Sequence, residues 1–346
     1  MIKVRFLVLK LKKIFIPFCI FIFTLFLVVF SNTNLESAKY GIKIWAQSVV
    51  PSLFPFFIAT ELLGYTNIIY FLGKIFNKLM RPTFNVPGEG SFPLIMGIVS
   101  GYPVGAKIVA NLKNQGKITN IEAERLIAFT NNSGPLFILG TVGLGLYKNT
   151  YIGNLLLITH ILAGITVGFI FRWWKRNKKG IYINSLENSK KTKEISLANL
   201  GDVLSISIMN AINTTMLIGG FIVLFSVVIS MLYNSGILGL LSNSIKPVLH
   251  TFKISSSFAN GIISGLIELT NGVFKISLVG NINQNISIII CAFLLGFGGL
   301  SITLQILSII SKAKISIKPY IIGKLLQGVL AAVYTFIYLF VFSSFY

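Results

Sequence analysis

The chain interrupts its own membrane-spanning pattern at matching places in its two halves. The first break is Ser100-Gly101-Tyr102-Pro103-Val104-Gly105-Ala106-Lys107, and the second is Ser264-Gly265-Leu266-Ile267-Glu268-Leu269-Thr270-Asn271-Gly272. Backbone that leaves the helical hydrogen-bond ladder cannot face lipid, because each unsatisfied amide costs several kcal/mol there. Such a break must lie against protein or line a watery cavity, and a pair of breaks at corresponding positions points to a binding site between two repeats.

The surrounding composition fixes the environment. Of 346 residues, 54% are hydrophobic and 11% charged, against about 25% charged in soluble domains, so the chain reads as a polytopic membrane protein. Thirty Lys and Arg against nine Asp and Glu give a formal charge of +21. In a soluble protein that balance would suggest nucleic acid. Here the cations gather in short segments between spans, where they fix orientation and meet anionic lipid, so the expected partners include membrane lipids and no nucleic acid. Cys19 and Cys291 stand far apart inside apolar runs, which supports neither a disulfide framework nor a metal site.

Residues 1–13 are basic and 14–30 apolar, but no small-residue cleavage site follows in Ser31-Asn32-Thr33-Asn34. The run is expected to stay as a first helix. A second span, 42–63, carries Pro51 and Pro55 and should kink. Residues 70–81 suit an amphipathic interfacial helix. The stretch 91–112 is long enough for one span or for two half-depth helices meeting at the break, and a re-entrant hairpin is the reading adopted. The next helix, 121–147, starts after the candidate caps Thr119 and Asn120 and is broken at Asn131-Asn132-Ser133-Gly134-Pro135. A span at 151–171 carries Gly164 and Gly168 at a close-packing spacing, followed by Trp173 and Trp174 as an interfacial belt.

The second half repeats this order: a long helix at 203–233, an amphipathic piece at 237–252, and a broken segment at 255–280. A helix at 286–310, interrupted at Gly296-Phe297-Gly298-Gly299-Leu300-Ser301, and a last span at 319–342 complete it. The expected fold is therefore an all-α polytopic membrane protein of two inverted repeats, each with a re-entrant helical hairpin and a broken transmembrane helix. Four units follow: 1–40, the N-terminal transmembrane helix and its outer loop; 41–171, the first repeat; 172–200, a basic cytoplasmic linker; and 201–346, the second repeat with the C-terminal helix. Cations support the topology. Lys3 to Lys13, Lys74, Lys78, Arg81, Lys113, Lys117, Arg125, the eight from Arg172 to Lys193, and Lys312, Lys314, Lys318 and Lys324 are placed inside. Lys39, Lys43, Lys148, Lys246 and Lys253 fall outside. The N-terminus is then cytoplasmic, and the two hairpins must enter from opposite sides.

Glu268 is the most informative side chain, since a carboxylate near the bilayer centre costs roughly 2.5 to 3.5 kcal/mol on insertion scales. It either contacts a substrate or coupling ion, or partners a backbone amide or Lys. Lys107 and Lys275 either attract an anionic substrate or snorkel to the interface. Asn131, Asn132 and Ser133 either bind substrate or stabilise a kink. Half-helix N-termini beside Gly101 and Gly265 would add amide donors for an acid. Glu61 reads as an interfacial carboxylate, and His160 and His250 as packing or interface residues. No H-E-x-x-H, G-x-S-x-G or Walker A sequence occurs, which argues against an enzyme or a built-in ATPase.

At the four motifs, Ser100 to Lys107, Asn131 to Pro135, Glu268 to Gly272 and Gly296 to Ser301, the chain resembles the YlbJ family of sporulation integral membrane proteins, from about residue 42 to the C-terminus. That family carries the Gate, or nucleoside-recognition, domain and is similar to concentrative nucleoside transporters. The resemblance implies an endospore-forming bacterium and a role in moving dipicolinic acid across the outer forespore membrane. Nucleoside transporters also place an acidic motif after the second hairpin, which Glu268 matches only loosely. The expected function is a secondary transporter of a small organic anion working by alternating access in the bacterial cell membrane or outer forespore membrane, with a spore-envelope scaffold or a nucleoside-type permease as alternatives. The expected substrate contacts are Gly101, Tyr102, Lys107, Asn131, Asn132, Ser133, Glu268, Thr270, Asn271, Gly298 and Ser301. No cofactor, catalytic residue or metal is expected beyond a coupling cation, H+ or Na+.

Overall fold

A computed structural model describes residues 2–177, 199–280 and 282–342. Most of the expected basic linker, 178–198, lies outside the described residues. Every element among the described residues is helical. Four helices are long and apolar enough to cross a membrane: Thr150–Phe171, Leu200–Asn234, Gln284–Ile310 and Lys318–Phe340. The number rises to six if two sharply bent pairs each count as one span. The bends are 99° between Phe15–Val29 and Ser31–Gln47, and 85° between Leu53–Gly64 and Ile68–Phe84. Large apolar side chains such as Phe169, Leu224, Leu325 and Val333 are exposed along these helices, as a lipid-facing girdle requires.

After α1 (Ile2–Val29), the chain does not form the outer loop expected before residue 41. It forms α2 (Ser31–Ile44), a π-helical turn at Trp45–Val49, and α3 (Val50–Gly64), which begins with Pro51 in its first turn. Packing overrides the polar composition of α2: Asn34 donates to Phe26 O, Gly41 lies against Val223 and Ser226, and Trp45 Nε1 donates to Thr215 O at 2.9 Å. The amphipathic α4 (Ile68–Phe84) buries Ile69, Met80 and Phe84 while Tyr70, Phe71 and Lys74 remain exposed, the expected character of an interfacial helix.

The first broken segment forms two short helices, α5 (Ser91–Val99) and α6 (Val104–Asn114). Nine residues reach about 14 Å, roughly half the hydrocarbon core, so a re-entrant hairpin fits and a full span does not. The turn between them uses Gly101 at φ +77°, a left-handed conformation that favours glycine. Then come α7 (Asn120–Ile127), an extended break at 131–134, a π-helical segment Leu136–Leu146, and α8 (Thr150–Phe171). Thr119 is the N-cap of α7 in a reciprocal capping box with Glu122.

The second half consists of α9 (Leu200–Asn234), the amphipathic α10 (Ile237–Thr251), the short pair α11 (Ala259–Ile267) and α12 (Leu269–Val279), the broken pair α13 (Gln284–Phe297) and α14 (Gly299–Ile310), and α15 (Lys318–Ile337). Both amphipathic helices carry a proline near their ends, Pro82 and Pro247. The second break turns on Gly298 at φ +84°.

α9 packs antiparallel against α2 and α3, and α15 antiparallel against α8. Asn234 Nδ2 donates to Thr33 Oγ1 at 3.0 Å, and Asn210 Nδ2 donates to Glu61 Oε2 at 3.0 Å. Thr335 meets Thr159 across α15 and α8, while Gln327 lies against Gly164. At one end of the molecule Lys113 Nζ donates to Ala313 O and Lys314 O, and Arg125 to Asn85 O and Trp174 O. The first hairpin opens at that end. At the other, Tyr147 and Ser287 hydroxyls lie 2.7 Å apart and Ser287 Oγ donates to Ile276 O, on the exit arm of the second hairpin.

Candidate functional site

A cavity of about 250 Å³ lies where the two hairpin tips and the two helix breaks converge. Gly101 and Tyr102 come from the first tip, Gly134, Phe137 and Thr141 from the first break and the helix after it, Glu268 and Thr270 from the second tip, and Ser301 and Gln305 from α14. Tyr40, Ile44, Leu53, Ile218 and Ile222 close it from α2, α3 and α9. Its volume lies just below the 300 to 1,000 Å³ range of drug-sized pockets, room for one small ring-bearing solute.

The second tip is built around Glu268. The extended conformation there (φ −142°, ψ 120°) makes Glu268 the N-cap of α12. Its Oε1 accepts from Thr270 N at 3.0 Å, and Oε2 from Asn271 N and Asn271 Nδ2, both at 2.8 Å. The carboxylate thus satisfies amides that the hairpin turn frees, and it still lines the cavity. Gly265 and Gly272 let the hairpin arms touch: a Cβ on Gly265 would lie 3.2 Å from Gly272 Cα. Ser301 is buried beside the cavity, and Gln305 Oε1 is buried without a hydrogen-bond partner among the described residues.

The first break is held from behind. Tyr102 N donates to Asn132 O at 2.7 Å, tying the first tip to the break. Lys324 Nζ donates to Asn131 O at 3.0 Å and to Gln327 Oε1 at 2.8 Å, and Gln327 Nε2 donates to Asn132 Oδ1 at 2.8 Å. Ser133 N donates to His160 Nε2 at 3.2 Å, and Ser133 Oγ to Leu295 O at 3.2 Å. Asn131, Asn132 and Ser133 are therefore buried in a network behind the cavity, and only Gly134 of that break lines it.

Lys324 corrects the topology count. It is not a loop cation at the inner surface but a side chain 3% exposed inside α15. An ionisable residue in an apolar span is a signal by itself, and Lys324-Leu325-Leu326-Gln327 places two polar groups three residues apart on one helix face. His160, read as a packing residue, is a hydrogen-bond acceptor for the break.

The two candidate lysines sit elsewhere. Lys107 lines a separate cavity of about 230 Å³ with Glu61, Asn111, Asn210 and Thr214. Its ammonium pairs with Glu61 Oε1 at 2.6 Å and donates to Thr214 Oγ1 at 3.2 Å, so Glu61 is an ion-pair partner rather than a free interfacial carboxylate. Lys275 donates to Ser264 Oγ at 2.8 Å within its own hairpin. No described residue lining the larger cavity is basic. Among the described residues no group of three or more His, Cys, Asp or Glu is placed to hold a metal.

Fold and site together define a helical, polytopic, transporter-like membrane protein. The Gate family, described as nucleoside recognition, matches residues 46–170. The chain is 38% identical over 314 residues to the sporulation integral membrane protein YlbJ of Bacillus subtilis strain 168, covering 88% of this chain and 77% of that protein. The chain belongs to the YlbJ family of sporulation integral membrane proteins. No solved structure matches it.

Proposed function

We propose that this chain is a secondary transporter that carries a small ring-bearing organic acid by alternating access, with dipicolinate, moved across the outer forespore membrane, as the substrate the family resemblance implies. One observation carries the reading: tips and breaks from both halves line a single cavity. A scaffold for spore-envelope proteins needs no such chamber.

Inverted repeats are part of the proposal. The antiparallel packing of α8 on α15 and of α2 and α3 on α9 supports them, as does the opening of the hairpins toward opposite ends. Two symmetry-related bundles around a fixed midplane site provide alternating access by rocking or sliding of one against the other. The end bearing Arg81, Arg125, Lys175 and Lys314 is taken as cytoplasmic.

The charge of the cavity sets a condition on the substrate. Like charges about 5 Å apart at an effective dielectric near 20 repel by about 3 kcal/mol, and Glu268 is the one carboxylate among the described residues on the wall. A dicarboxylate therefore enters with protons or an accompanying cation, its ring between Phe137, Phe274 and Ile218 and its oxygens toward Thr141, Ser301 and the amides of the tips. The same wall favours a second reading, a nucleoside, whose neutral hydroxyls would donate to Glu268 and Gln305. Binding of dipicolinate, uridine and phthalate to the purified chain, each at two pH values, separates them. Dipicolinate binding that tightens as pH falls supports the first reading. Uridine binding without dipicolinate binding replaces it with the second, and binding of neither, together with no uptake in vesicles, removes the transporter reading.

A further inference from the structure

The cluster behind the first break has a composition that substrate binding does not explain. Lys324 is buried in α15 with its ammonium on two neutral oxygens, Asn131 O and Gln327 Oε1, and it forms no ion pair among the described residues. Backbone carbonyls freed by a helix break are groups with which transporters coordinate a coupling ion, and a side-chain amide oxygen is a neutral acceptor of the same kind. Here a tethered ammonium uses them. Asn131, whose carbonyl it grips, turns its buried side-chain amide toward the Tyr320 hydroxyl without a well-formed hydrogen bond among the described residues, so the break has hydrogen-bonding capacity left for a second arrangement.

We propose that Lys324 is a built-in coupling cation, its ammonium held by two neutral oxygens that could otherwise hold a free cation, and that the coupling ion is the proton it takes up and releases. The inference rests on the transporter reading. Gain or loss of that proton changes the charge of the site by one unit, and no carboxylate among the described residues pairs with it. The titratable and charged groups packed around it do not take over the role. From α8, His160 faces the break and its Nε2 already accepts from Ser133 N. From α7, Glu122 pairs with Arg81, Glu124 with Lys175, and Arg125 holds Asn85 O and Trp174 O. From α13, Cys291 is buried and its neighbour is Tyr147. Tyr320 lies one turn away on α15 itself, buried.

The connection to the cavity is short. Lys324 holds Asn131 O, the adjacent Asn132 O accepts from Tyr102 N, and Tyr102 lines the cavity at the first hairpin tip. Release of the Lys324 proton removes the charge that strengthens its hydrogen bond to Asn131 O, and the weaker neutral donor loosens the segment that positions the tip. Proton occupancy and substrate occupancy then bias the same break, which is what coupling between two sites requires.

Two measurements on the full chain test this. In proteoliposomes with labelled dipicolinate, a pH gradient of one unit supports about tenfold accumulation at one proton per solute, and a sodium gradient supports none. Lys324→Arg, which keeps the charge but does not release it, should lose the accumulation while still exchanging dipicolinate without a gradient, and Lys324→Met, which removes the charge, should lose the accumulation as well. In detergent, independently of any substrate, thermal unfolding of the wild type should be the same in sodium and choline chloride, whereas Lys324→Ala, which vacates the oxygens, should be stabilised by sodium. Sodium-driven accumulation by the wild type, proton-driven accumulation by Lys324→Arg, or a sodium response of the wild type alone overturns the proposal. If the wild type exchanges no solute, the transporter reading fails and the proposal with it, whereas intact exchange with a failed gradient test removes the proposal alone.

Discussion

Replacing Glu268 by Gln tests whether the second hairpin tip is held by a charge. The carboxylate accepts three hydrogen bonds, from Thr270 N at 3.0 Å and from Asn271 N and Nδ2 at 2.8 Å, and it is 4% exposed. Gln keeps one oxygen for Thr270 but turns an NH2 group toward the two Asn271 donors. Loss of charge assistance at Thr270 costs about 1 kcal/mol, and the stranded Asn271 amide about 1–3 kcal/mol, a total of about 2–4 kcal/mol against the folded tip. At about 1.4 kcal/mol per factor of ten, the formed tip falls in population by roughly 30-fold or more. Glu268→Asp retains a carboxylate at an N-cap, a position where Asp is favoured, and so should lose less. The assay is uptake in vesicles alongside thermal unfolding in detergent, with membrane insertion checked by yield. The expected order is wild type, Asp, Gln, Ala in both readouts, with Ala inactive. Glu268→Gln with wild-type uptake and an unshifted midpoint would refute the reasoning, since a neutral cap would then do the same work.

The Glu61–Lys107 pair, with side chains 16% and 29% exposed, joins the first hairpin to α3; removing either partner should destabilise by about 1–3 kcal/mol, below the fully buried case because solvent screens it. A double-mutant cycle with Glu61→Gln and Lys107→Met should return a coupling energy of about 0.5 kcal/mol or more. Gln327→Ala strands Lys324, Asn132 Oδ1 and the His160 carbonyl; it should lower stability by about 1–3 kcal/mol, and the combined Asn131→Ala, Asn132→Ala chain should insert but lose uptake. Gly296→Ala places a Cβ 2.7 Å from Gly328 Cα between α13 and α15, backbone that cannot yield as a side chain would, so overpacking of about 1–3 kcal/mol is expected. Gly220→Ala meets nothing within 4 Å and serves as the neutral control in thermal unfolding.

Most of the element order was legible because lipid leaves backbone few options. Gly101, Pro103 and Gly105 in an apolar stretch too short for two spans already implied a half-depth hairpin, and the candidate cap Thr119 marked the start of α7. Three things were not legible. Residues 31–40 are polar enough to read as a loop, yet they belong to a helix that packs on α9, where Gly41 meets Val223 and Ser226 and Trp45, just beyond the helix, meets Thr215. Lys324 follows Lys312, Lys314 and Lys318 closely in sequence, and charge counting cannot separate a surface cation from one that α15 rotates inward. Lys107 and Asn131 to Ser133 face away from the cavity for a related reason: sequence locates a break along the membrane normal, but its partners across the bundle decide which groups face the hollow and which, like Asn132 on Gln327, are bound behind it. Tyr40 and Gln305 reach the wall from α2 and α14, outside any break, and no local pattern marks them.

Access to the cavity from both membrane faces is the central claim, and a single cysteine at Thr270 tests it most directly. The native Cys19 and Cys291 are first replaced by Ser and Ala. In oriented vesicles an impermeant thiol reagent is then added from outside in one sample and from inside in another, with and without dipicolinate. The account predicts labelling from either side, slowed by bound solute. Reaction from one side only, or from neither, in a variant that still inserts would contradict alternating access at this site.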